Sequence, residues 1–233
     1  MQKRNLWTLT CKPLLVFFAA FAMLTACGDS GSNASVDEVQ WNGTKGTFTD
    51  SRDGQTYKVV AFDSLIWMAE NLNYKTENSK CFDEKADKCK YGRLYFWDEA
   101  LKACPAGWHL PSKKEFITML AAVDKNHSEI DTSNVDYFIM EDVGFDLKSK
   151  NGWVTEEGES CNGSDAYGFT ILPAGVWNIE YSGFLGQGQE TLFWTSTERE
   201  TNFAHCMSIT KKTSVNINSC GVETGFSVRC VKD

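Results

Sequence analysis

Histidine and proline are scarce in this 233-residue sequence, which contains three of the first and four of the second. None of His109, His127 and His205 stands at metal-ligand spacing from a carboxylate or a cysteine. No cysteine pair has the Cys-x-x-Cys spacing of a zinc ribbon or a redox site. Ser112 and Ser196 have no nucleophile-elbow motif around them. The sequence therefore predicts no catalytic centre, no bound metal and no cofactor.

Basic charge is also in deficit, because 23 lysines and arginines stand against 31 aspartates and glutamates. The first 26 residues hold three of the basic residues and none of the acidic ones, so the remainder carries 20 against 31, a formal charge of −11. A surface of this sign repels nucleic acid and anionic lipid headgroups. Nucleic acid is therefore excluded from the expected partners.

One long apolar run is present, between Pro13 and Ala26, and basic residues precede it. It is too short to serve well as a membrane-spanning helix, and its basic start and small-residue end are typical of a signal peptide. The run ends in Leu-Thr-Ala-Cys at 24–27, which resembles the lipobox of bacterial lipoproteins. The resemblance implies a signal peptide over residues 1–26 and lipidation, including palmitate, at Cys27. The alternative is an ordinary secretory signal in which Cys27 has no role.

Residues 27–50 are predicted to be a lipidated, flexible tether, since 28–35 are small and polar. Acyl chains on Cys27 would make the membrane a partner of this protein. Gly28, and not an acidic residue, follows the cysteine, which in many Gram-negative lipoproteins allows outer-membrane delivery. We therefore expect a lipid-anchored protein of the cell envelope, in the outer membrane of a Gram-negative bacterium.

Residues 51–233 are long enough for one domain with a substantial core, and no internal repeat divides them. Two helices are predicted, at 96–103 and at 112–124, and the second begins with a Ser-x-x-Glu capping box. Short strands are predicted at 56–62, 66–68, 168–172, 193–197, 203–209, 215–218 and 226–231. Helices early and short strands late predict an α+β domain with a mostly antiparallel sheet.

Seven cysteines remain after Cys27, at positions 81, 89, 104, 161, 206, 220 and 230. Export places them in an oxidising compartment, where disulfides form. A bond between Cys81 and Cys89 would pin a polar loop that has little apolar content of its own. Because seven is an odd number, at least one thiol is left over unless it pairs between chains.

The pattern Trp-x-x-Ala-x-x-x-Cys-x-x-Gly-x-His-Leu, which starts at Trp97, resembles the first-helix signature of C-type lectin-like domains. The resemblance implies two short helices packed on a mostly antiparallel sheet and stapled by disulfides. It implies a bond between Cys104 on the first helix and Cys230 on the last strand. It also implies a second, shorter bond between Cys206 and Cys220.

A wider resemblance covers nearly the whole mature chain and rests on six short blocks in a fixed order. They are Gly-Gln-Thr-Tyr at 54–57, Trp-Met-Ala-Glu-Asn-Leu at 67–72, Tyr-Gly-Arg-Leu-Tyr at 91–95, Cys-Pro-x-Gly-Trp-His-Leu-Pro at 104–111, Phe-Trp-Thr-Ser-Thr-Glu at 193–198 and Gly-Phe-Ser-Val-Arg-Cys-Val at 225–231. Together they are similar to the Fibrobacter succinogenes major paralogous domain. That family implies an exported, lectin-like, β-rich domain and no settled activity.

Sugar-binding C-type lectins bind calcium through Glu-Pro-Asn or Gln-Pro-Asp and Trp-Asn-Asp triplets. Here the corresponding proline, Pro173, stands between leucine and alanine, and Trp177-Asn178 is followed by Ile179. Calcium needs several converging oxygen ligands, which these triplets do not supply. Calcium-dependent sugar binding is therefore not expected.

Three aromatic residues in the glycine-rich stretch after Pro173 are the best candidate ligand contacts: Trp177, Tyr181 and Phe184. The tryptophans at 67, 97, 108 and 194 stand in regular elements and are predicted to fill the core. We expect a non-catalytic binding or adhesion module, whose ligand is a polysaccharide or another surface protein. The first alternative is a structural envelope component without a small ligand.

The second alternative is an oxidase of the formylglycine-generating type, which shares a related fold and uses active-site cysteines. The structural bridges leave only Cys161 unassigned. A buried inert thiol, a crosslink to a second chain and a bond to another cysteine are all open for Cys161. The sequence makes no prediction of the oligomeric state.

Overall fold

The computed structural model describes residues 39–124 and 138–233, so Cys27 and His127 lie outside the described residues. The strands in these ranges are β1 Gln40–Trp41, β2 Lys45–Thr49, β3 Thr56–Phe62, β4 Leu65–Met68, β5 Leu94–Tyr95, β6 Trp108–His109, β7 Phe138–Met140, β8 Val176–Asn178, β9 Gly183–Leu185, β10 Glu190–Glu200, β11 Phe203–Thr210, β12 Val215–Gly221, β13 Phe226–Ser227 and β14 Val231–Lys232. The α-helices are α1 Trp97–Ala103, α2 Lys113–Val123 and α3 Val143–Leu147, and short 3₁₀ turns occupy Phe82–Glu84 and Ala86–Tyr91.

The strands form two six-stranded sheets and one hairpin within the described residues. The first sheet has the order β1-β2-β3-β4-β14-β6, and the second has the order β5-β13-β10-β11-β12-β7. Every pairing between strands is antiparallel except β10 with β13, which is parallel. The hairpin consists of β8 and β9 alone. The α+β class and the mostly antiparallel pairing are thus confirmed. No helix in this part of the chain is long and apolar enough to span a membrane.

The N-terminal boundary of the domain differs from the prediction. β2 pairs with β3 along its full length, from Lys45 with Val60 to Thr49 with Thr56. Phe48 is fully buried, with its ring centroid 4.7 Å from that of Trp108. The predicted tether is therefore wrong for residues 40–50, because the sheet and the core use them. Residues 27–38 of that tether lie outside the described residues.

The helix that begins with a capping box is confirmed. The Ser112 amide donates to the Glu115 carboxylate at 2.7 Å, and the Glu115 amide donates to the Ser112 hydroxyl at 3.2 Å. The first predicted helix is also present as α1. Its buried residues are Ala100 and Ala103, while Leu101 is exposed.

The strand predicted at 168–172 is absent. Thr170 has a φ of +53°, a left-handed conformation that a β-branched residue rarely adopts. The Asp165 carboxylate stabilises it by accepting hydrogen bonds from the Thr170 amide at 2.7 Å and from its hydroxyl at 2.9 Å. This side-chain contact replaces the strand pairing, and only an isolated bridge between Ile171 and Lys148 remains.

The core has two neighbouring clusters of buried side chains. Trp67 lies in one, with its ring 5.0 Å from that of Phe116 on α2. Trp194 lies in the other, with its ring 4.4 Å from that of Phe226. Trp67, Trp108 and Trp194 are buried as predicted, but Trp97 is only half-buried.

A buried arginine, in the segment between β13 and β14, contacts the irregular segment around Thr170. The Arg229 guanidinium donates to the Asn71 side-chain oxygen at 2.9 Å, to the Thr170 carbonyl at 2.9 Å and to the Phe169 carbonyl. It also stacks 4.3 Å above the Phe169 ring. Burial lowers the pKa of Arg229 to about 9, so the guanidinium stays protonated at neutral pH. Its partners therefore fix two distant segments against each other.

Three disulfides staple the domain, and their pairs are those expected from the sequence. Cys104 at the end of α1 is bonded to Cys230, which directly precedes β14. A second bond joins β11 to β12 through residues 206 and 220, and a third joins residues 81 and 89. Cys161 is half-buried and forms no disulfide within the described residues.

Candidate functional site

A groove of about 440 Å³ lies between the β8–β9 hairpin and the start of α1, and we call it the aromatic groove. Three aromatic rings, two aliphatic side chains, two carboxylates and one amide line it. These residues are Phe96, Trp97, Trp177, Ile179, Val222, Asp98, Glu223 and Asn78. Ligand pockets commonly combine apolar and aromatic walls with a few polar groups that orient the ligand.

Trp177 is fixed in the groove by its backbone and by its ring. Its amide donates to the Gly225 carbonyl at 3.0 Å, and the Gly225 amide donates to the Trp177 carbonyl at 2.8 Å. A Cβ on Gly225 would lie only 3.0 Å from the Cβ of Trp177, so glycine permits this close approach. The Trp177 ring meets the Phe96 ring edge to face, with centroids 5.2 Å apart. The indole is therefore held before any ligand arrives.

Trp97 forms another wall of the aromatic groove. Its indole N–H donates to the Thr195 carbonyl on β10 at 2.8 Å, and its amide donates to the Val222 carbonyl at 3.3 Å. These bonds satisfy the polar atoms of the tryptophan inside the domain and leave its ring for apolar contact. Trp97 stands one turn before the buried Ala100, at the N-terminal end of α1, where the helix meets the groove.

The loop closed by the Cys81–Cys89 disulfide supports the hairpin from one side. The Phe82 ring lies 5.2 Å from the ring of Phe184 on β9. The Lys88 ammonium donates to the side-chain oxygen of Gln187, just after β9, at 3.0 Å. A loop with little apolar content of its own is thus used as a support for the hairpin that carries Trp177.

The three predicted ligand contacts occupy three different places. Trp177 lines the aromatic groove, while Phe184 packs on Phe82 and does not line it. Tyr181 stands at the tip of the hairpin and is 70% exposed. The tip is an ordered turn, since the Asn178 side-chain oxygen accepts hydrogen bonds from the amides of Glu180 and Tyr181.

The carboxylates of the aromatic groove are open to a ligand. Asp98 and Glu223 are exposed, and neither forms an ion pair in the part of the chain that the structure describes. Each can accept hydrogen bonds from ligand hydroxyl groups. Within residues 39–124 and 138–233, no three His, Cys, Asp or Glu side chains converge as metal ligands. The arrangement thus offers stacking surfaces and hydrogen-bond acceptors.

A second groove, of about 370 Å³, meets the aromatic groove at Asn78, which lines both. We call it the lysine groove. Its charged residues are Lys75, Lys80, Arg93, Glu77 and Glu84, and the Cys81–Cys89 disulfide lies in its wall. The Lys80 ammonium lies 5.6 Å from the centre of the Trp177 ring, so it stands where the two grooves meet.

The remaining sequence candidates lie away from both grooves. The His109 ring is hydrogen-bonded to Asp233 at 2.6 Å and to Glu115 at 2.9 Å. Partial burial opposes protonation of His109, but the two carboxylates outweigh it and raise its pKa. Cys161 packs beside the core cluster that contains Trp67. His109 therefore has a hydrogen-bonded structural position.

Sequence reasoning missed Phe96, Asn78 and Val222 and assigned Trp97 to the core. The one available signal is the run Tyr95-Phe96-Trp97, because three successive aromatic residues cannot all face one side of a strand-to-helix junction. Tyr95 is buried, whereas the other two reach the groove. Asn78 and Val222 carry no comparable signal in the sequence.

Comparison with known proteins gives one family. The model of the Fibrobacter succinogenes major domain matches residues 60–232, which is most of the chain and includes the elements that form both grooves. No curated protein and no solved structure matches this sequence. The chain therefore belongs to the Fibrobacter succinogenes major domain family.

Proposed function

We propose that this protein is an envelope-anchored lipoprotein whose folded domain is a non-catalytic, calcium-independent polysaccharide-binding module. The aromatic groove carries the proposal. It presents Trp177 and Trp97 as fixed stacking surfaces and places Asp98, Glu223 and Asn78 beside them. A pyranose ring has apolar C–H faces and equatorial hydroxyls, and both kinds of surface are complemented here.

The binding energy expected from one stacking face is modest. A tryptophan side chain buries roughly 150–250 Å² when it is covered completely. Covering one face of Trp177 removes roughly 80 Å² of apolar surface, which contributes about 2 kcal/mol at about 25 cal/mol per Å². That energy corresponds to a factor of about 30 in Kd. Several copies of this protein on one cell surface would bind the same polysaccharide more tightly than one copy, through multivalency.

We further propose a C-type lectin-like arrangement for the domain. The disulfide from Cys104 on the first helix to Cys230 beside the last strand supports it, as does the bond between β11 and β12. The calcium triplets of sugar-binding lectins are replaced in this sequence. The proposed ligand contact therefore depends on the aromatic rings and needs no metal.

The lipid anchor is proposed on the sequence alone. The apolar run before Cys27 and the polar residues after it support lipidation at Cys27 and a place in the outer membrane. A polysaccharide-binding domain at the end of such an anchor would hold a cell against an insoluble glycan. Radiolabelled palmitate incorporation that disappears in Cys27→Ser is the expected result, and unchanged incorporation would contradict the anchor.

Binding is tested with the mature chain in its lipid-free form, residues 27–233 carrying Cys27→Ser, which we call the soluble chain. It is incubated with insoluble cellulose and insoluble xylan, with and without a calcium chelator. We expect retention on at least one polysaccharide that survives chelation and falls by about 30-fold in Trp177→Ala. The matched control is Trp41→Ala, since Trp41 is 42% exposed and lies outside both grooves.

Three outcomes would overturn the proposal. Retention lost on chelation would show a metal-dependent site, and equal losses in Trp177→Ala and Trp41→Ala would show a non-specific effect. No retention on either polysaccharide would favour a protein ligand or a structural role. The exposed Ile179 and Tyr181 at the hairpin tip are the residues to test next in that case.

A further inference from the structure

We infer that the polysaccharide carries anionic substituents, and that the lysine groove is the subsite for their carboxylates. This inference rests on the proposed function and adds the class of ligand. The occupant is a glycan whose backbone is neutral and whose side groups are uronates. The neutral backbone lies over the aromatic groove, and a carboxylate lies in the lysine groove.

The first argument is the charge of this segment relative to the whole chain. The mature chain has 20 basic and 31 acidic residues, but residues 75–93 have six basic and four acidic ones. Three of these six basic residues line the lysine groove. Lys75, Lys80 and Arg93 line it against two acids, Glu77 and Glu84. The adjoining aromatic groove holds acids and no base.

The second argument is the position of Lys80. Two backbone hydrogen bonds of 2.9 Å join Lys80 to Leu94, so its main chain is held beside β5. Its ammonium lies 5.6 Å from the Trp177 ring centre and 3.5 Å from the Glu84 carboxylate. A sugar stacked on Trp177 therefore has an ammonium group next to it. A carboxylate on that sugar or on its neighbour would compete with Glu84 for this ammonium.

The third argument is that further donors are available in the same groove. Lys75 is exposed and forms no ion pair within the described residues. One terminal nitrogen of Arg93 donates to the Ser79 carbonyl at 3.1 Å, which leaves other guanidinium N–H groups for a carboxylate. Arginine and lysine together bind carboxylates by charge-assisted hydrogen bonds. A neutral chain leaves all of these donors to water.

The test compares one polysaccharide in two forms. Glucuronoxylan and the same preparation after chemical reduction of its carboxyl groups to alcohols have the same backbone and differ in charge. The soluble chain is titrated with both by affinity electrophoresis at low and high salt. We expect the acidic form to bind roughly 10-fold more tightly at low salt. That preference should vanish near 1 M NaCl, where the screening length is only about 3 Å.

Variants locate the effect. Lys75→Gln with Lys80→Gln should lose most of the preference for the acidic form, because Arg93 is the one base of the lysine groove that it keeps. Its affinity for the reduced form should equal that of the wild type. Lys114→Gln with Lys150→Gln removes the same net charge at exposed positions outside the grooves and should keep the preference. Lys75→Gln alone leaves the contact between Lys80 and Trp177 intact and should lower the preference by a smaller factor.

The outcomes separate this inference from the proposed function. If both forms bind equally and Trp177→Ala weakens both, the aromatic groove binds a neutral glycan and the carboxylate subsite is wrong. If the control pair abolishes the preference as fully as the groove pair, the effect is one of net charge and the subsite is wrong. If neither form binds, the carboxylate subsite is wrong, and retention of the soluble chain on cellulose then decides the proposed function.

Discussion

Replacing the buried Arg229 by methionine tests the account of how the domain is held together. The side chain is fully buried, and its guanidinium satisfies the Asn71 side-chain oxygen and two backbone carbonyls. Methionine has a similar length and no donor, so all three acceptors lose their partner. An unsatisfied buried acceptor costs about 1–3 kcal/mol. The gross loss is therefore roughly 3–9 kcal/mol.

Part of that loss is recovered, because the variant no longer buries a charge. The lowering of the Arg229 pKa to about 9 by burial shows that this charge is costly to bury. We expect a net loss of about 3 kcal/mol, at the low end of that gross range. In a domain of this size such a loss lowers Tm by roughly 6–12 °C.

The assay is urea unfolding of the soluble chain with its disulfides intact, followed by tryptophan fluorescence. Arg199→Met is the matched control, since Arg199 is exposed and pairs with its neighbour Glu200. We expect the control to stay within about 0.5 kcal/mol of the wild type. A loss under about 1 kcal/mol in Arg229→Met, or a gain in stability, would refute the reasoning, because burying the charge would then cost about as much as the three hydrogen bonds return.

Three other perturbations have defined outcomes. Replacing Cys81 and Cys89 together by serine should weaken polysaccharide binding in the titration and cost about 2–3 kcal/mol of unfolding free energy. Gly225→Ala places a methyl group 3.0 Å from the Trp177 Cβ, so we expect a loss of about 1 kcal/mol in urea unfolding and weaker binding. His109→Gln removes a stabilisation that is complete below about pH 6.5. That stabilisation disappears as the pH rises through the raised pKa of His109. The wild-type Tm should therefore exceed that of His109→Gln by less at about pH 8 than at about pH 6.

Each of these expectations has a control or a contradicting result. Unchanged binding in the double serine variant would show that the hairpin holds Trp177 without the loop. Gly221→Ala is the control for Gly225→Ala, since nothing lies within 4 Å of its added Cβ. A Tm difference that is constant from about pH 6 to 8 would show that His109 is not the group responsible.

Local signals in the sequence were sufficient for several elements. The capping box at Ser112 predicts the start of α2, and the β-branched and aromatic residues of 56–62 predict the bounds of β3. The Cys81–Cys89 pair is also local in sequence. These features depend on residues within one turn or one strand, so no tertiary information was needed.

Contacts between distant residues explain the failures. β2 has only one large apolar residue, Phe48, and a glycine, so nothing in it marks a strand until β3 lies beside it. The segment around Thr170 has strand-like composition, but the Asp165 carboxylate holds Thr170 in a left-handed conformation. The sequence pattern alone does not show that these hydrogen bonds form in place of strand pairing.

The candidate site could be predicted only in part for the same reason. Trp177 was identified from its glycine-rich surroundings, but its neighbours Phe96 and Val222 come from segments about 80 and 45 residues away. Trp97 reads as a core residue in the sequence because its helix has an apolar face. The groove exists because Gly225 lets the hairpin approach β13 closely, which is a property of the packed domain.

The central claim is that the aromatic groove is the polysaccharide site, and one titration tests it most directly. The mature chain contains seven tryptophans, at 41, 67, 97, 108, 153, 177 and 194, and each gives an indole N–H signal in a nitrogen-labelled NMR spectrum. On addition of a soluble acidic xylo-oligosaccharide, we predict the largest shift at Trp177 and a smaller one at Trp97, whose N–H is bonded to Thr195. Saturable shifts elsewhere, with Trp177 unmoved, or no shift at any tryptophan, would contradict the account.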